Sequence, residues 1–196
     1  MNRTERQKRE TNETQIEVAV AFDGSREVDV STSLPFFDHM LTACAFHGGF
    51  GLTVKATGDI EVDPHHVVED TGIVVGSCLE AIMRSGGAIA RFGHAVIPMD
   101  EALSEATIDV CGRPTLIYKA DFPQAYAGSF DLSLFREFFA GFSMSARCAL
   151  HLECRYGENA HHMIEALCKA FGRAVGRAFA LAGGKDTAAM STKGAI

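Results

Sequence analysis

The sequence predicts an α+β fold built from two fused ββαβα half-repeats, each a small sheet packed on two helices. Three observations support this prediction. A chain of 196 residues with 47% hydrophobic content can bury one sizeable core. Segments with strand-like alternation and segments with helix-like periodicity follow one another in the same order in both halves. The starts of corresponding segments are separated by a near-constant offset of about 88 to 98 residues, which is typical of an internal repeat.

The first half opens with a predicted hairpin, in which two alternating segments flank the turn residues DGSR. A helical stretch follows and stops at a Gly-Gly pair. An alternating strand and a long helix, which ends at a second Gly-Gly pair, complete the half. In chain order the segments are IEVAVAF (16 to 22), EVDVS, FFDHMLTACAFH, FGLTVKAT and the helix from Asp63 to about Ser85.

The second half repeats this order after a predicted loop that holds RFGHAVIPMDE. Its segments are SEATIDV, TLIYKAD, DLSLFREFFAGF, CALHLEC and a helix from Asn159 to about Leu181. We therefore expect a single domain over residues 1-196 that consists of pseudo-repeats at about 11-86 and about 100-183. A mobile C-terminal tail is expected at 184-196.

The composition excludes several classes of partner. The net charge is -7 and the basic residues form no stripe, which argues against nucleic acid or an acidic membrane but permits a small anionic substrate. The six cysteines form no C-x-x-C pair, so we expect reduced, buried thiols in a cytoplasmic protein. The charged N-terminus has no apolar core typical of a signal peptide, and no apolar run of about 20 residues predicts a membrane span.

A His-His-x-x-Glu motif lies at the start of the second predicted helix in each half. Asp63 and Pro64 suit the N-cap and first helical position before one copy, and Asn159 caps the other. The positive end of a helix dipole disfavours imidazolium, so neutral imidazoles that can bind a metal are favoured there. A single copy is typical of a solvated helix face, but two copies at matching helix starts indicate metal binding. The six motif residues are His65, His66, Glu69, His161, His162 and Glu165.

The helical spacing predicts how these side chains are shared between ions. Residues four apart face the same side of a helix, whereas consecutive residues point about 100° apart. If the halves pack with approximate two-fold symmetry, two metals are the simplest solution. One ion would be held by His65, Glu69 and His162, and the other by His161, Glu165 and His66.

The donor types restrict the metal. Imidazole and carboxylate donors without thiolate suit Mn, Fe, Co, Ni or Zn, and additional nitrogen and oxygen ligands toward six favour Mn. His39 and Glu137 lie at corresponding places in the earlier helix of each half and are further candidate ligands. Glu137 is alternatively an ordinary surface acid.

Ten short motifs, in order along nearly the whole chain, resemble those of the imidazoleglycerol-phosphate dehydratase family. They are TNET (11 to 14), FFDHM (36 to 40), KATGD (55 to 59), DPHHVVED (63 to 70), RFG (91 to 93), PMDEAL (98 to 103), GRP (112 to 114), GENAHHMIEA (157 to 166), KAFGRA (169 to 174) and STKG (191 to 194). The resemblance implies a single catalytic domain with a duplicated, ribosomal protein S5 domain 2-like fold. It also implies two Mn²⁺ ions per active site and a homo-oligomeric shell of about 24 subunits, with active sites completed between chains.

The resemblance also assigns residues. It implies metal binding by His39 and by the six motif residues, a substrate contact from Glu13, and phosphate binding by Arg91, Arg113, Ser191 and Lys193. Two positions depart from the family pattern. Glu137 stands where many members have a histidine, which affects the ligands of one metal. Ala43 stands where some have a glutamine, which removes a polar substrate contact.

The implied reaction is the dehydration of imidazole glycerol phosphate to imidazole acetol phosphate in histidine biosynthesis. The hydrogen to be lost is not acidic, because no carbonyl adjoins its carbon. Metals on both ring nitrogens stabilise an imidazolate, which expels the hydroxyl and gives a diazafulvene-like intermediate whose neighbouring C–H is acidic. An enol forms and relaxes to the ketone. One acid and one base are needed, and Glu13 and Glu165 are the candidates, with a metal-bound water or a histidine as alternatives.

Two other functions are compatible with a duplicated metal motif. A di-metal hydrolase would activate water against a phosphate or peptide substrate. A non-catalytic metal-binding or storage protein would hold the ions without turnover, but it would give no role to Arg91, Arg113 and the STKG tail.

Overall fold

The structure is a computed structural model that describes residues 3–85 and 87–182. The first half contains four strands and two helices. They are β1 (Thr4–Glu10), β2 (Thr14–Ala21), β3 (Val28–Ser31), α1 (Pro35–Gly48), β4 (Gly51–Gly58) and α2 (His65–Ser85). The second half adds β5 (Phe92–Met99), β6 (Ala102–Asp109), β7 (Thr115–Lys119), the short pair β8 (Tyr126–Ala127) and β9 (Phe130–Asp131), α3 (Leu134–Ala146), β10 (Ala149–Tyr156) and α4 (Ala160–Ala178).

The two halves have the same sheet topology. The strand order is β1-β2-β4-β3 in the first sheet and β5-β6-β10-β7 in the second. In each sheet the first three strands in this order are antiparallel, and the last pairs parallel with its neighbour. The predicted α+β fold, with two small sheets packed on helices, is confirmed. The predicted hairpin of β2 and β3 is wrong, because β4 lies between these two strands in the sheet.

Each four-stranded sheet contains one strand more than the sequence predicted, and the second half also adds the short pair β8 and β9. The segment RFGHAVIPMDE was predicted to be a loop, and this was wrong, because most of it forms β5. Gly93 and Pro98 interrupt its alternation, and both are tolerated because β5 is an edge strand. The other extra strand, β1, has the sequence TERQKRE and is largely solvent-exposed, so it lacks the apolar period that marks a half-buried strand.

The helices join the two halves into one core. α2 lies on the first sheet and α4 on the second, while α1 packs against α4 and α3 packs against α2. Each of these pairs therefore combines one helix from each half. The contacts are at backbone level: a Cβ on Gly172 would lie 2.0 Å from the carbonyl oxygen of Cys44, and one on Gly72 would lie 2.2 Å from that of Phe138. The core around them is rich in buried phenylalanines.

The starts of α2 and α4 are fixed by the predicted capping residues. The backbone N–H of His65 donates to the Asp63 carboxylate at 2.9 Å, and that of His161 donates to the Asn159 side chain at the same distance. These contacts hold each His-His-x-x-Glu motif in the first turns of its helix.

Two other sequence predictions can be compared with the structure. All six cysteines are free thiols and five of them are buried. None of the helices within residues 3–85 and 87–182 is long and apolar enough to cross a membrane. The predicted tail at 184–196 lies outside the described residues.

Replacing Gly172 with alanine tests the helix contact. We expect Gly172→Ala to destabilise the fold by about 2 kcal/mol, since the clash with the Cys44 carbonyl outweighs the gain in helix propensity. Thermal and urea unfolding measure the change. Arg173→Ala is the control, because this neighbouring side chain is exposed. An unchanged midpoint for Gly172→Ala would show that the two helices are not in backbone contact.

Candidate metal centre

Three side chains from two helices form a cluster suited to a metal ion. The Nε2 atom of His161 lies 3.0 Å from Oε2 of Glu165, and Nε2 of His39 lies 3.4 Å from the same oxygen. Within the described part of the chain, this is the one group of three or more His, Cys, Asp or Glu side chains whose ligand atoms all lie within 4.8 Å of one another. Three of the predicted metal ligands are thus brought together.

The cluster follows from helix geometry and helix packing. His161 and Glu165 are four residues apart on α4 and therefore face the same side. His39 lies in the second turn of α1, which packs along α4. The rings of His39 and His161 remain about half-exposed, whereas only 10% of the Glu165 side chain is exposed. A buried acceptor therefore lies beneath two accessible imidazoles.

Glu165 is held in its charged form by its neighbours. Burial opposes its ionisation, but hydrogen bonds from Lys169 and His161 outweigh this and keep the pKa of the carboxyl below its ordinary value. The Lys169 ammonium donates to Oε1 at 2.7 Å and is itself largely buried. The remaining oxygen, Oε2, faces the two histidines.

The first half contains a smaller version of this cluster. Nε2 of His65 lies 3.3 Å from Oε2 of Glu69, four residues later on α2. Glu137 occupies the position on α3 that His39 occupies on α1, since both lie ten residues before the left-handed C-cap of their helix, Arg147 or Gly49. Its carboxylate contacts Arg136 at 3.4 Å. The role of Glu137 as a ligand stays a prediction.

The second histidine of each motif is bound by a carboxylate. Nδ1–H of His66 donates to Asp59 at 2.9 Å, and Nδ1–H of His162 donates to Glu101 at 2.8 Å. These hydrogen bonds raise the pKa of both histidines, and the bond from His162 lowers the pKa of Glu101 to about 2. Both rings therefore present Nε2 as the nitrogen for a metal, an arrangement common around metal-bound histidines.

Sequence reasoning did not identify Asp59 or Glu101. Each lies outside the His-His-x-x-Glu motif, in a turn at the end or start of a strand. Both lie within motifs on which the family resemblance depends, KATGD and PMDEAL, and that is the signal that could have indicated them.

The predicted three-residue sets are not assembled within a single chain. The sequence predicted that His162 would join His65 and Glu69, and that His66 would join His161 and Glu165. Among residues 3–85 and 87–182 neither set forms a cluster. The prediction was wrong for one chain because each half packs its motif helix against a helix of the other half, so the two motif helices are not each other's partners.

The predicted phosphate-binding arginines lie at the opposite end of the second sheet. Arg91 donates through Nε and Nη2 to Asp109, at the last residue of β6, and Arg113 lies just before β7 at the same edge. Glu101, beside His162, precedes the first residue of β6. The eight residues of this strand span about 25 Å. Ser191 and Lys193 lie outside the described residues.

Glu13, the predicted substrate contact, lies in the turn between β1 and β2. Its carboxylate is 3.9 Å from Nδ1 of His66, and 57% of its side chain is exposed. The turn is fixed to α2, because the Thr14 hydroxyl donates to Asp70 at 2.6 Å and Asp70 also accepts from Arg9 at 2.7 Å. Glu13 therefore stands beside a metal motif on an anchored turn.

A cavity of about 710 Å³ adjoins the three-residue cluster. His39 and His161 form part of its wall, and Asp63 and Pro64 bring the start of α2 to the same opening. Much of the remaining lining is apolar and comes from Phe36, Phe130, Tyr126 and Leu134. The cavity is large enough for a small organic molecule beside the cluster.

Comparisons with known proteins agree on one family. A family model described as imidazoleglycerol-phosphate dehydratase matches residues 32–175. The imidazoleglycerol-phosphate dehydratase of Phenylobacterium zucineum (strain HLK1) is 48% identical over 196 residues, 100% of both chains. That of Gluconobacter oxydans (strain 621H) is 48% identical over 188 residues, 96% of this chain and 95% of the relative.

Solved structures give the same result. The imidazoleglycerol-phosphate dehydratase of Staphylococcus aureus subsp. aureus N315 superposes with a TM-score of 0.83 at 36% identity, covering 91% of this chain and 99% of that one. The Pyrococcus furiosus enzyme superposes with a TM-score of 0.84 at 34% identity, covering 97% and 100%.

Removing the charge of Lys169 tests the electrostatics of the cluster. In metal-free protein we expect Lys169→Met to lower the free energy of unfolding at pH 7 by about 2 kcal/mol, since it leaves the Glu165 carboxylate buried without its cation. A lowered carboxyl pKa stabilises the fold above the ordinary value of 4.5, and this contribution is lost as the pH falls through the lowered pKa. The effect should therefore shrink in acid.

Urea unfolding in the presence of EDTA, between pH 7 and pH 3, measures the free energy of unfolding that Lys169→Met loses at each pH. Lys119→Met is the matched control, because Lys119 is exposed and should change stability by less than about 0.5 kcal/mol. A destabilisation by Lys169→Met that is equal at both pH values would exclude a charge effect through Glu165.

Proposed function

This chain belongs to the imidazoleglycerol-phosphate dehydratase family, the hydro-lyases of histidine biosynthesis, and on that premise we propose that it dehydrates imidazole glycerol phosphate to imidazole acetol phosphate with two Mn²⁺ ions per site. The observation that carries the proposal is the duplicated motif at two capped helix starts, one copy of which meets His39 in a three-residue cluster.

The donor set fits a divalent metal of this kind. The clustered ligand atoms are imidazole nitrogens and carboxylate oxygens without thiolate, which suits Mn²⁺ among other first-row ions. We propose as ligands His39, His65, His66, Glu69, His161, His162 and Glu165. Glu137 is proposed to join His65 and Glu69 as His39 joins His161 and Glu165. His66 and His162 are already oriented for this by their carboxylate partners.

The ions and the protein have different roles in this proposal. When bound, the two ions supply positive charge at both ring nitrogens of the substrate, which stabilises its imidazolate form. The protein provides a fixed acid and a fixed base. We assign these roles to Glu13 and Glu165, of which Glu13 lies on an anchored turn and is exposed enough to reach the hydroxyl or the carbon-bound hydrogen.

The substrate phosphate is proposed to bind Arg91 and Arg113, together with Ser191 and Lys193 of the C-terminal segment. A guanidinium can form two hydrogen bonds to phosphate oxygens, which suits a dianionic group. Within one chain, however, these arginines are separated from the His161 end by a strand of about 25 Å, which is longer than the substrate. The arginines that serve one metal centre are therefore proposed to come from another subunit.

This separation supports a homo-oligomer whose active sites are completed between chains. The family resemblance favours a shell of about 24 subunits. We also propose a cytoplasmic location, a small phosphorylated imidazole as the only substrate class, and no role for nucleic acid or membranes, in keeping with the acidic charge of -7.

The reaction itself is the first test. Protein stripped with EDTA and reloaded with Mn²⁺ should convert imidazole glycerol phosphate to a ketone, while the stripped protein should be inactive. The ketone and inorganic phosphate are measured in parallel. Released phosphate without ketone would identify a di-metal hydrolase, and bound Mn²⁺ without turnover would identify a metal-binding protein.

Mixing two inactive variants tests the shared site. His161→Ala and Arg113→Ala should each abolish most turnover, because one lacks a metal ligand and the other a phosphate ligand. If a site takes these residues from different chains, subunits mixed equally and reassembled should regain about a quarter of wild-type activity. Separately reassembled variants are the control. No recovery, with mixed oligomers demonstrated by mass spectrometry, would contradict a site shared in this way.

A further inference from the structure

The turns before β2 and β6 carry glutamates at equivalent places in the two halves. Ala21, at the end of β2, pairs with Gly51, the first residue of β4. In the same way Asp109, at the end of β6, pairs with Ala149, the first residue of β10. Counting back eight residues from these paired ends reaches Glu13 in the first half and Glu101 in the second. The duplication thus places one carboxylate beside the second histidine of each motif.

Glu101 is fully engaged in the second half. Its Oε2 accepts from Nδ1–H of His162 at 2.8 Å. Its Oε1 accepts from the backbone N–H groups of Glu158 and Asn159 at 3.1 and 2.8 Å. With three hydrogen bonds, this carboxylate is a fixed part of the metal-ligand support and is not available to a substrate.

Glu13 is not engaged in the same way. Its carboxylate stops 3.9 Å from Nδ1 of His66, and it accepts no hydrogen bond from the residues that the structure describes. The ring bonds instead to Asp59, 2.9 Å away. Asp59 is itself attached to the same turn, because its backbone N–H donates to the carbonyl oxygen of Glu13 at 3.1 Å.

Asp59 comes from a connection that differs between the halves. The segment between β4 and α2 covers residues 59 to 64, whereas that between β10 and α4 covers only 157 to 159. The shorter connection supplies backbone N–H groups to Glu101, and the longer one supplies a side chain that replaces Glu13. The difference in loop length therefore explains why equivalent glutamates have different partners.

We propose that Asp59 is a positioning residue that takes over the hydrogen bond to His66 and so keeps Glu13 free to act on the substrate, while Glu101 retains the supporting role that the duplication gave to both. This proposal rests on the proposed function, since it assumes that His66 and His162 bind metal through Nε2. It explains how one of two duplicated sites gained a group for acid–base chemistry without losing the support of its histidine.

Titrating metal-free protein with Mn²⁺ tests, without measuring turnover, whether Asp59 replaces Glu13 as the partner of His66. Glu101→Ala should lower the affinity of one site by about 10- to 100-fold, as expected for loss of a carboxylate behind a metal-binding histidine. Asp59→Ala should stay within about threefold of wild type, because Glu13 moves the short distance to His66 and replaces Asp59. Glu13→Ala should leave the affinity unchanged, and the double variant should lose about 10- to 100-fold.

Activity and structure give a second readout for the same variants. Asp59→Ala should bind Mn²⁺ normally yet lose about a hundredfold in kcat, because Glu13 is now occupied. Its crystal structure should show the Glu13 carboxylate hydrogen-bonded to Nδ1 of His66.

Two results would overturn the proposal: an Asp59→Ala variant as weak in Mn²⁺ binding as the double variant, or a double variant with wild-type affinity. A wild-type protein that binds Mn²⁺ and dehydrates nothing would instead refute the proposed function. In that case, a double variant that loses far more Mn²⁺ affinity than either single variant would still support the role of Asp59.

Discussion

The backbone contact between helices of opposite halves is the constraint on which the site depends. Gly172 admits the Cys44 carbonyl, and Gly72 admits that of Phe138, so each helix pair is fixed in both separation and register. On α1 this register places His39 beside the motif of α4. A side chain at Gly172 would separate α1 from α4, and His39 would no longer lie beside His161 and Glu165.

The same packing bears on the proposed homo-oligomer. Each motif helix packs against a helix of the other half, and neither predicted three-residue set forms a cluster among residues 3–85 and 87–182. The strands that position the motifs also carry Arg91 and Arg113 to the far edge of the sheet. The proposed substrate, with a heteroaromatic ring at one end and a phosphate at the other, is shorter than this distance, which supports the proposal that a neighbouring subunit supplies the arginines.

Much of the fold follows from local sequence patterns. Alternation identified β2 and β4, capping residues identified the starts of α2 and α4, and the constant offset identified the duplication, because each of these signals acts over a few residues or repeats along the chain. The two edge strands were not predicted. β1 is charged and exposed, and β5 contains Gly93 and Pro98, so neither shows an apolar period; their partners β2 and β6 determine their structure.

The sequence by itself determined the pairs of candidate ligands that share one helix face, because His161 and Glu165 are four residues apart and helical geometry alone aligns them. Tertiary structure decided that His39 joins one of those pairs and which carboxylates bind the second histidine of each motif. Asp59 and Glu101 reach their histidines from turns whose positions depend on strand pairing, and Glu101 is 61 residues from its partner. Helical periodicity encodes neither contact, because Asp59 lies in the connection before α2 and Glu101 lies in a turn of a different hairpin.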